Sequence, residues 1–180
     1  MIEKTIESEI IYKGKALNLR VDTIEGPAGT GKREIIEHSQ AVTIIPFQEP
    51  DTIYFIRQFR KATEQVLIEF PAGCIEDGEA PEKAALRELK EETGLIADQC
   101  QKLVEMYMAP GFCDEYMHVY IVQGLTMGET NMDEDECIDV VTYSLAQAKS
   151  MIKAQKIIDA KTITGVYLLD EFIREGTNII

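Results

Sequence analysis

The segment GCIEDGEAPEKAALRELKEETGL, from Gly73 to Leu95, holds a helix with marked ends and a heavy load of acid. Pro81 suits the first helical position, where an amide proton would have no intrahelical acceptor. Glu79 and Glu82 put negative charge at the positive end of the helix dipole, and Gly94 stands where a left-handed residue stops a helix. The spacing predicts a helix over Pro81–Thr93, even though Ala80 is a poor N-cap. Ala85 and Leu89 lie four apart with Leu86 beside them, which gives the helix one apolar stripe. Such an element must be laid on a core with its acids turned away, and the rest of the chain has to supply that core.

Glu88 and Glu92 are also four apart, so their carboxylates leave the helix as neighbours, with Glu91 adjacent. Like charges at that spacing cost roughly a few tenths of a kcal/mol. A hard dication reverses the sign: Mg²⁺ takes oxygen ligands, keeps several waters and is commonly shared with substrate phosphates. Arg87 is four residues before Glu91 and can hold that carboxylate in its planar fork. A solvated acidic face is the plainer reading of a glutamate pair. A glycine-containing loop entering the helix, an arginine before the pair and a glycine closing the helix favour a metal site.

Composition narrows the function classes. The 180 residues suffice for one domain with a full core, and the 45% apolar content is that of a globular chain. A formal net charge of −14 excludes a protein that holds nucleic acid through its phosphates. It also leaves a polyphosphate to be met by metal ions and a few placed arginines. Cys74, Cys100, Cys113 and Cys137 form no C-x-x-C pair and no zinc spacing, and read as reduced thiols. MIEKTIESEI has no apolar run of an export signal, and no stretch reaches membrane-spanning length. The expected compartment is the cytoplasm, with no membrane partner.

Alternation predicts strands over about Thr5 to Glu25 (two, turning at Lys13-Gly14), Arg33–His38, Ala41–Phe47, Thr52–Gln58 and Val66–Phe70. Beyond the helix come Lys102–Met108, Tyr116–Gln123 and Cys137–Tyr143. Ala41–Phe47 is apolar enough for burial on both faces. GPAGTGK, Gly26 to Lys32, reads as a hairpin loop, since no hydroxyl follows the lysine as a phosphate-binding loop requires. Two helices close the chain, near Leu145–Ala154 and Ala160–Arg174, with Ser144 and Asp159 as N-caps. Many strands, one central helix and two closing helices make an α+β chain.

Gly73, Glu79, Arg87, Glu88, Glu91, Glu92 and Gly94, with Leu89 and Leu95, fall at the spacing G-x5-E-x7-R-E-U-x-E-E-x-G-U, where U is a bulky apolar residue. This resembles the Nudix box, the metal-binding loop-helix-loop of hydrolases that split nucleoside diphosphates linked to another moiety. The resemblance implies a Nudix fold, a mixed β-sheet sandwiched between α-helices, with N-terminal antiparallel strands. It implies one domain over residues 1–180, about 1–40 being dimerising strands and 41–180 the catalytic core.

The flanks are similar to the ADP-ribose pyrophosphatase branch. Glu69-Phe70-Pro71-Ala72-Gly73 precedes the box, and Arg57-Gln58-Phe59-Arg60-Lys61 lies upstream. Pro110, fifteen residues after Leu95, stands near that branch's marker proline. Met132 to Glu136 resembles its acidic loop, and Asp159-Ala160-Lys161-Thr162 its last-helix start. Singly, each has an ordinary explanation: a turn dipeptide at Pro110-Gly111, a solvated acidic loop, a surface arginine. Cys113 departs from the usual Ser or Thr, and no aromatic stands out for stacking on adenine.

The resemblance implies Mg²⁺, or Mn²⁺, at Glu88, Glu92, the Ala72 carbonyl and Glu136. It implies a catalytic group of Glu134 as general base, Glu91 as the other candidate base, and Arg87. Arg33, Arg60, Gly73, Pro110, Gly111 and Phe112 become the expected substrate-binding residues. The expected reaction converts ADP-ribose to AMP and ribose 5-phosphate, in a homodimer. The alternatives are hydrolysis of another nucleoside diphosphate sugar or a dinucleotide, and a sensor that binds ADP-ribose without turnover.

Overall fold

The computed structural model describes residues 2–128 and 138–176. Its elements are gathered into two compact units, residues 1–40 with 106–117, and residues 41–105 with 118–180. The segment 106–117, expected with the catalytic core, thus groups with the N-terminal strands.

The first unit is built on an antiparallel sheet of β1 (Lys4–Lys13), β2 (Leu17–Gly26) and β3 (Gly29–His38), in that spatial order. The hairpin joining β2 to β3 is tighter than the sequence predicts. Gly26 pairs with Gly29, leaving Pro27-Ala28 as a two-residue loop, and Gly29, directly after it, takes a left-handed φ of 103° that glycine adopts without a steric penalty. Asp22 is buried and accepts from Ser8 Oγ at 2.6 Å and Arg20 Nε at 3.2 Å. These partners, Ser8 first, hold its carboxyl below the usual carboxylate range against the opposing effect of burial. Because Ser8 is the register partner of Asp22, the bond pins β1 to β2. The turn carrying Pro110 and Gly111 is tied to β3: Ile36 N donates to Phe112 O at 2.7 Å, and His38 N to Asp114 Oδ1 at 2.8 Å.

The second unit holds the larger sheet. Its order is β10 (Ile138–Tyr143), β5 (Thr52–Arg60), β4 (Ala41–Gln48), β9 (Tyr116–Met127) and β8 (Leu95–Tyr107), with β6 (Gln65–Glu69) on β5 and β7 (Ala72–Cys74) on β4. β4 is buried along Ala41–Phe47, as its apolar run, broken only by Thr43, predicts. α1 (Pro81–Thr93) lays its stripe on this strand: Ala84, Ala85 and Leu89 pack with Val42, Ile44, Leu95, Tyr120 and Val122. As expected, Ala80 makes no side-chain cap, and Gly94 ends the helix at φ 71° with its amide on Lys90 O.

α2 (Leu145–Lys153) opens on a capping box in which Ser144 and Gln147 bond reciprocally. α3 (Ala160–Glu175) is capped by Asp159, which accepts from Thr162 N at 2.9 Å. Phe55 and Phe70 stack at 4.6 Å between ring centroids. A Cβ on Gly165 would come within 2.7 Å of Phe70 Cε2, so α3 approaches this pair closely only because residue 165 has none. Among the described residues no helix is long and apolar enough to cross a membrane.

Candidate active site

Three short elements of the second unit converge: β7, the loop from Ile75 to Ala80, and α1. β7 is fixed on β4 by the pairs Ala41–Cys74, Val42–Gly73 and Thr43–Ala72. Arg87 is the hub. Its Nε and Nη2 grip the two oxygens of Glu79 at 3.0 and 2.9 Å, and Nη2 also reaches the Cys74 carbonyl at 3.1 Å. Its Nη1 donates to Glu88 Oε1 at 2.7 Å and Glu91 Oε2 at 2.9 Å. A guanidinium has five N–H donors, and all are engaged. Arg87 is therefore placed to hold carboxylates rather than to touch a ligand, a narrower task than the catalytic membership expected from sequence.

Glu79, on the same loop, also accepts from the Glu76 amide at 3.1 Å. Hydrogen bonding to Arg87 comes first among the causes that hold its carboxyl below the ordinary range. Arg87 is raised in turn, chiefly through Glu79 and further by Glu88 and Glu91. The box spacing singles out Glu79 and helix-end charge gives it a dipole role, but its pairing with Arg87, eight positions on, falls under no helical periodicity.

Glu88 and Glu92 face the β7 backbone. Glu92 is buried, and its Oε2 accepts from the Ala72 amide at 3.0 Å. The Glu88 carboxyl packs over Gly73 so closely that a Cβ there would lie 2.1 Å from Glu88 Cδ. Gly73 is thus required by that close approach. Carboxylate oxygens and a main-chain carbonyl are the hard donors that Mg²⁺ prefers. Among the described residues no three acidic, histidine or cysteine side chains converge on one point. The donors present fit a cation that retains waters and is shared with a substrate, and Glu88, Glu92 and the Ala72 carbonyl are the groups that would hold it. Glu91, partly exposed, stands beside them.

A second charged cluster adjoins the site through Glu69-Phe70-Pro71. Glu69 is buried at 1% exposure, and Arg60 clamps both its oxygens at 2.8 Å. Lys161 Nζ donates to Glu69 Oε2 and lies 3.1 Å from Asp159 Oδ1. Thr162 Oγ1 donates to Asp159 at 2.6 Å and accepts from the Phe70 amide at 2.8 Å. Burial pushes the Glu69 carboxyl upward, but Arg60 and Lys161 outweigh it and the net displacement is downward. Arg60 is raised, first by its bonds to Glu69 and further by the charges of Glu69, Glu92 and Asp159. The sequence picked out Arg60 but not Glu69 or Lys161 as partners, since they stand 92 residues apart and no local spacing links them.

The remaining expected residues lie elsewhere. Arg33 is in the first unit, exposed and paired with Glu3, with Nε to Oε2 at 3.0 Å. Pro110, Gly111 and Phe112 form the turn on β3, with Phe112 exposed. A Cβ on Gly111 would meet nothing within 4 Å, so no steric need fixes that glycine. Glu134 and Glu136 fall outside the described residues.

Comparison with known proteins bears on this geometry. Residues 37–164 match the sequence profile of the NUDIX domain. A methanol dehydrogenase activator of Bacillus methanolicus is 42% identical over 93% of this chain and 92% of its own. An ADP-ribose pyrophosphatase of Bacillus subtilis is 40% identical over the same shares. A GDP-mannose pyrophosphatase of Citrobacter koseri is 37% identical over 73% of this chain and 74% of its own. The crystal structure of an ADP compounds hydrolase superposes with a TM-score of 0.86 over 98% of this chain and 96% of that one; at 24% identity it speaks for the fold alone.

Proposed function

The chain belongs to the Nudix hydrolase family, and from that premise we propose that it cleaves the diphosphate of ADP-ribose to AMP and ribose 5-phosphate with the help of Mg²⁺ or Mn²⁺. The observation that carries the reading is the seating of Glu88 against Gly73, with Glu92 on the Ala72 amide and Arg87 holding Glu79, Glu88 and Glu91 in register. Relatives with that activity in their names, matched over 92% and 81% of their lengths, support the substrate class.

In the proposed reaction a water oxygen bonds to one phosphorus, the bridging P–O bond breaks, and the bridging oxygen leaves with the other phosphate. When bound, a divalent cation would neutralise charge on the diphosphate and lower the pKa of water. Glu88, Glu92 and the Ala72 carbonyl would hold it, with Glu136 as a further ligand. A carboxylate takes the proton of the attacking water, and this role goes to Glu134, with Glu91 as the candidate inside the described residues. Arg60 binds the diphosphate through the donors that Glu69 leaves free, since an arginine fork matches two phosphate oxygens. Arg33, Gly73 and the turn at Pro110, Gly111 and Phe112 complete the proposed binding residues, in a homodimer.

The GDP-mannose pyrophosphatase relatives favour a second reading, in which the base and sugar differ but the diphosphate chemistry is the same. The test is product release from a panel of ADP-ribose, GDP-mannose, other nucleoside diphosphate sugars and a dinucleotide, with Mg²⁺ and with chelator. The proposal expects AMP from ADP-ribose, with the highest kcat/KM of the panel, and none with chelator. GDP-mannose as the best substrate would replace it with the second reading. Tight ADP-ribose binding without AMP would make the chain a sensor.

A further inference from the structure

The cluster beside the site does more than brace the fold. Arg60 uses Nε and one proton of Nη2 on Glu69, so among the described residues both protons of Nη1 and the second of Nη2 are left for a ligand. The side chain is 37% exposed, so those donors can reach a ligand. Lys161 sits against the same carboxylate at 10% side-chain exposure and gives it a second anchor beside Arg60. Asp159, which caps α3, takes the other contact of Lys161 at 3.1 Å, so that two cations and two carboxylates balance in the cluster. Lys161 and Thr162 also couple α3 to Glu69 and to the Phe70 amide, two residues before Ala72.

We propose that Lys161 is a positioning residue for substrate binding: it pins the Glu69 carboxylate, and through it aims the free donors of Arg60 at the diphosphate. This rests on the hydrolase reading above. Lys161 itself touches no substrate. An anchored guanidinium contacts the diphosphate in the ground state and the transition state alike, so its loss raises KM and leaves kcat nearly unchanged.

The test is a mutant cycle between Lys161→Met and Arg60→Gln, with KM and kcat for ADP-ribose, its dissociation constant by calorimetry, and a thermal melt of each variant. Lys161→Met is expected to raise KM by roughly tenfold or more with little change in kcat, and Lys161→Arg to recover most of the loss. In the Arg60→Gln background the same change should cost less than about twofold, because the group it acts through is gone. Equal factors in both backgrounds would overturn the proposal, as would an unchanged KM with a lowered melting temperature. If Lys161→Met does not fold, the charge-balanced pair Lys161→Met with Glu69→Gln carries the test, with a raised KM expected and an unchanged KM contrary. A wild-type chain that neither binds nor hydrolyses ADP-ribose overturns the hydrolase reading and this proposal together. A wild type that hydrolyses, with Lys161→Met at the parental KM, overturns this proposal alone.

Discussion

The two charged clusters of the second unit are built to opposite balances. Around α1, the carboxylates of Glu79, Glu88, Glu91 and Glu92 gather with Arg87 as the guanidinium that holds three of them. Around the start of α3, Glu69 and Asp159 face Arg60 and Lys161, acid matched by base. Both are rich in short polar contacts, and hydrogen-bond geometry alone would not tell them apart. Charge does. The matched cluster has satisfied itself and can sit buried; the unmatched one keeps an excess that only added cations can neutralise. A surplus of like charge that the fold takes trouble to organise, here by an arginine with no donor to spare and a glycine under a carboxyl, marks the place where a partner is expected.

Substitutions that leave the surplus but remove a ligand should separate the clusters most sharply. Glu92→Gln is expected to lower kcat/KM by about 10²–10⁴, and Glu88→Gln similarly. Neither should lower the melting temperature by much, because each relieves repulsion on α1. The mirror experiment strikes the matched cluster. Glu69→Ala strands Arg60 and Lys161 and should destabilise the fold by about 3–5 kcal/mol, read by urea unfolding. Similar stability losses in the two clusters would erase the distinction drawn between them.

Smaller effects sharpen it. Gly73→Ala forces the Glu88 carboxyl away from β7 and should reduce kcat/KM by about 10² with a folded protein by circular dichroism. Gly165→Ala sets a methyl against Phe70 and should cost about 1–3 kcal/mol of stability, leaving KM as it was. The gentlest probe is acid. Glu69 and Glu79 have carboxyls held below their ordinary 4.5, so the unfolded chain binds more protons than the folded one as pH falls past that value. Their stabilisation is present above about pH 4.5 and is lost as pH drops through the folded values. Glu69→Gln should therefore flatten the fall of melting temperature in acid.

Much of α1 could be read from the chain itself, because Pro81, Gly94 and the Glu88–Glu92 spacing act within one or two turns of helix. β4 was equally plain, since burial on both faces leaves Thr43 as the one polar residue before Gln48, and its hydroxyl is satisfied by the Pro71 carbonyl. β8 was seen only in its second half. The structure starts it at Leu95, directly after the Gly94 stop, and Asp98, Gln99 and Gln101 break the alternation that would have announced it. In the hairpin after β2, glycines at 26, 29 and 31 suggested a loop where all three are ladder residues, Gly26 paired with Gly29 and Gly31 with Ile24. Side-chain roles were legible only where they were local. Arg87 to Glu91 follows from helical spacing, whereas the Glu69–Lys161 bond joins the end of β6 to the start of α3 and exists only once the sheet has formed.

The claim on which the account stands is that the carboxylates of α1 and the β7 backbone are held together to bind divalent cations. Calorimetric titration of Mn²⁺ into the wild-type chain and into the Glu88→Gln, Glu92→Gln double variant tests it directly. The account predicts saturable binding by the wild type and at least a tenfold weaker affinity in a double variant that melts no lower. Equal binding by both proteins, or none by either, would contradict it.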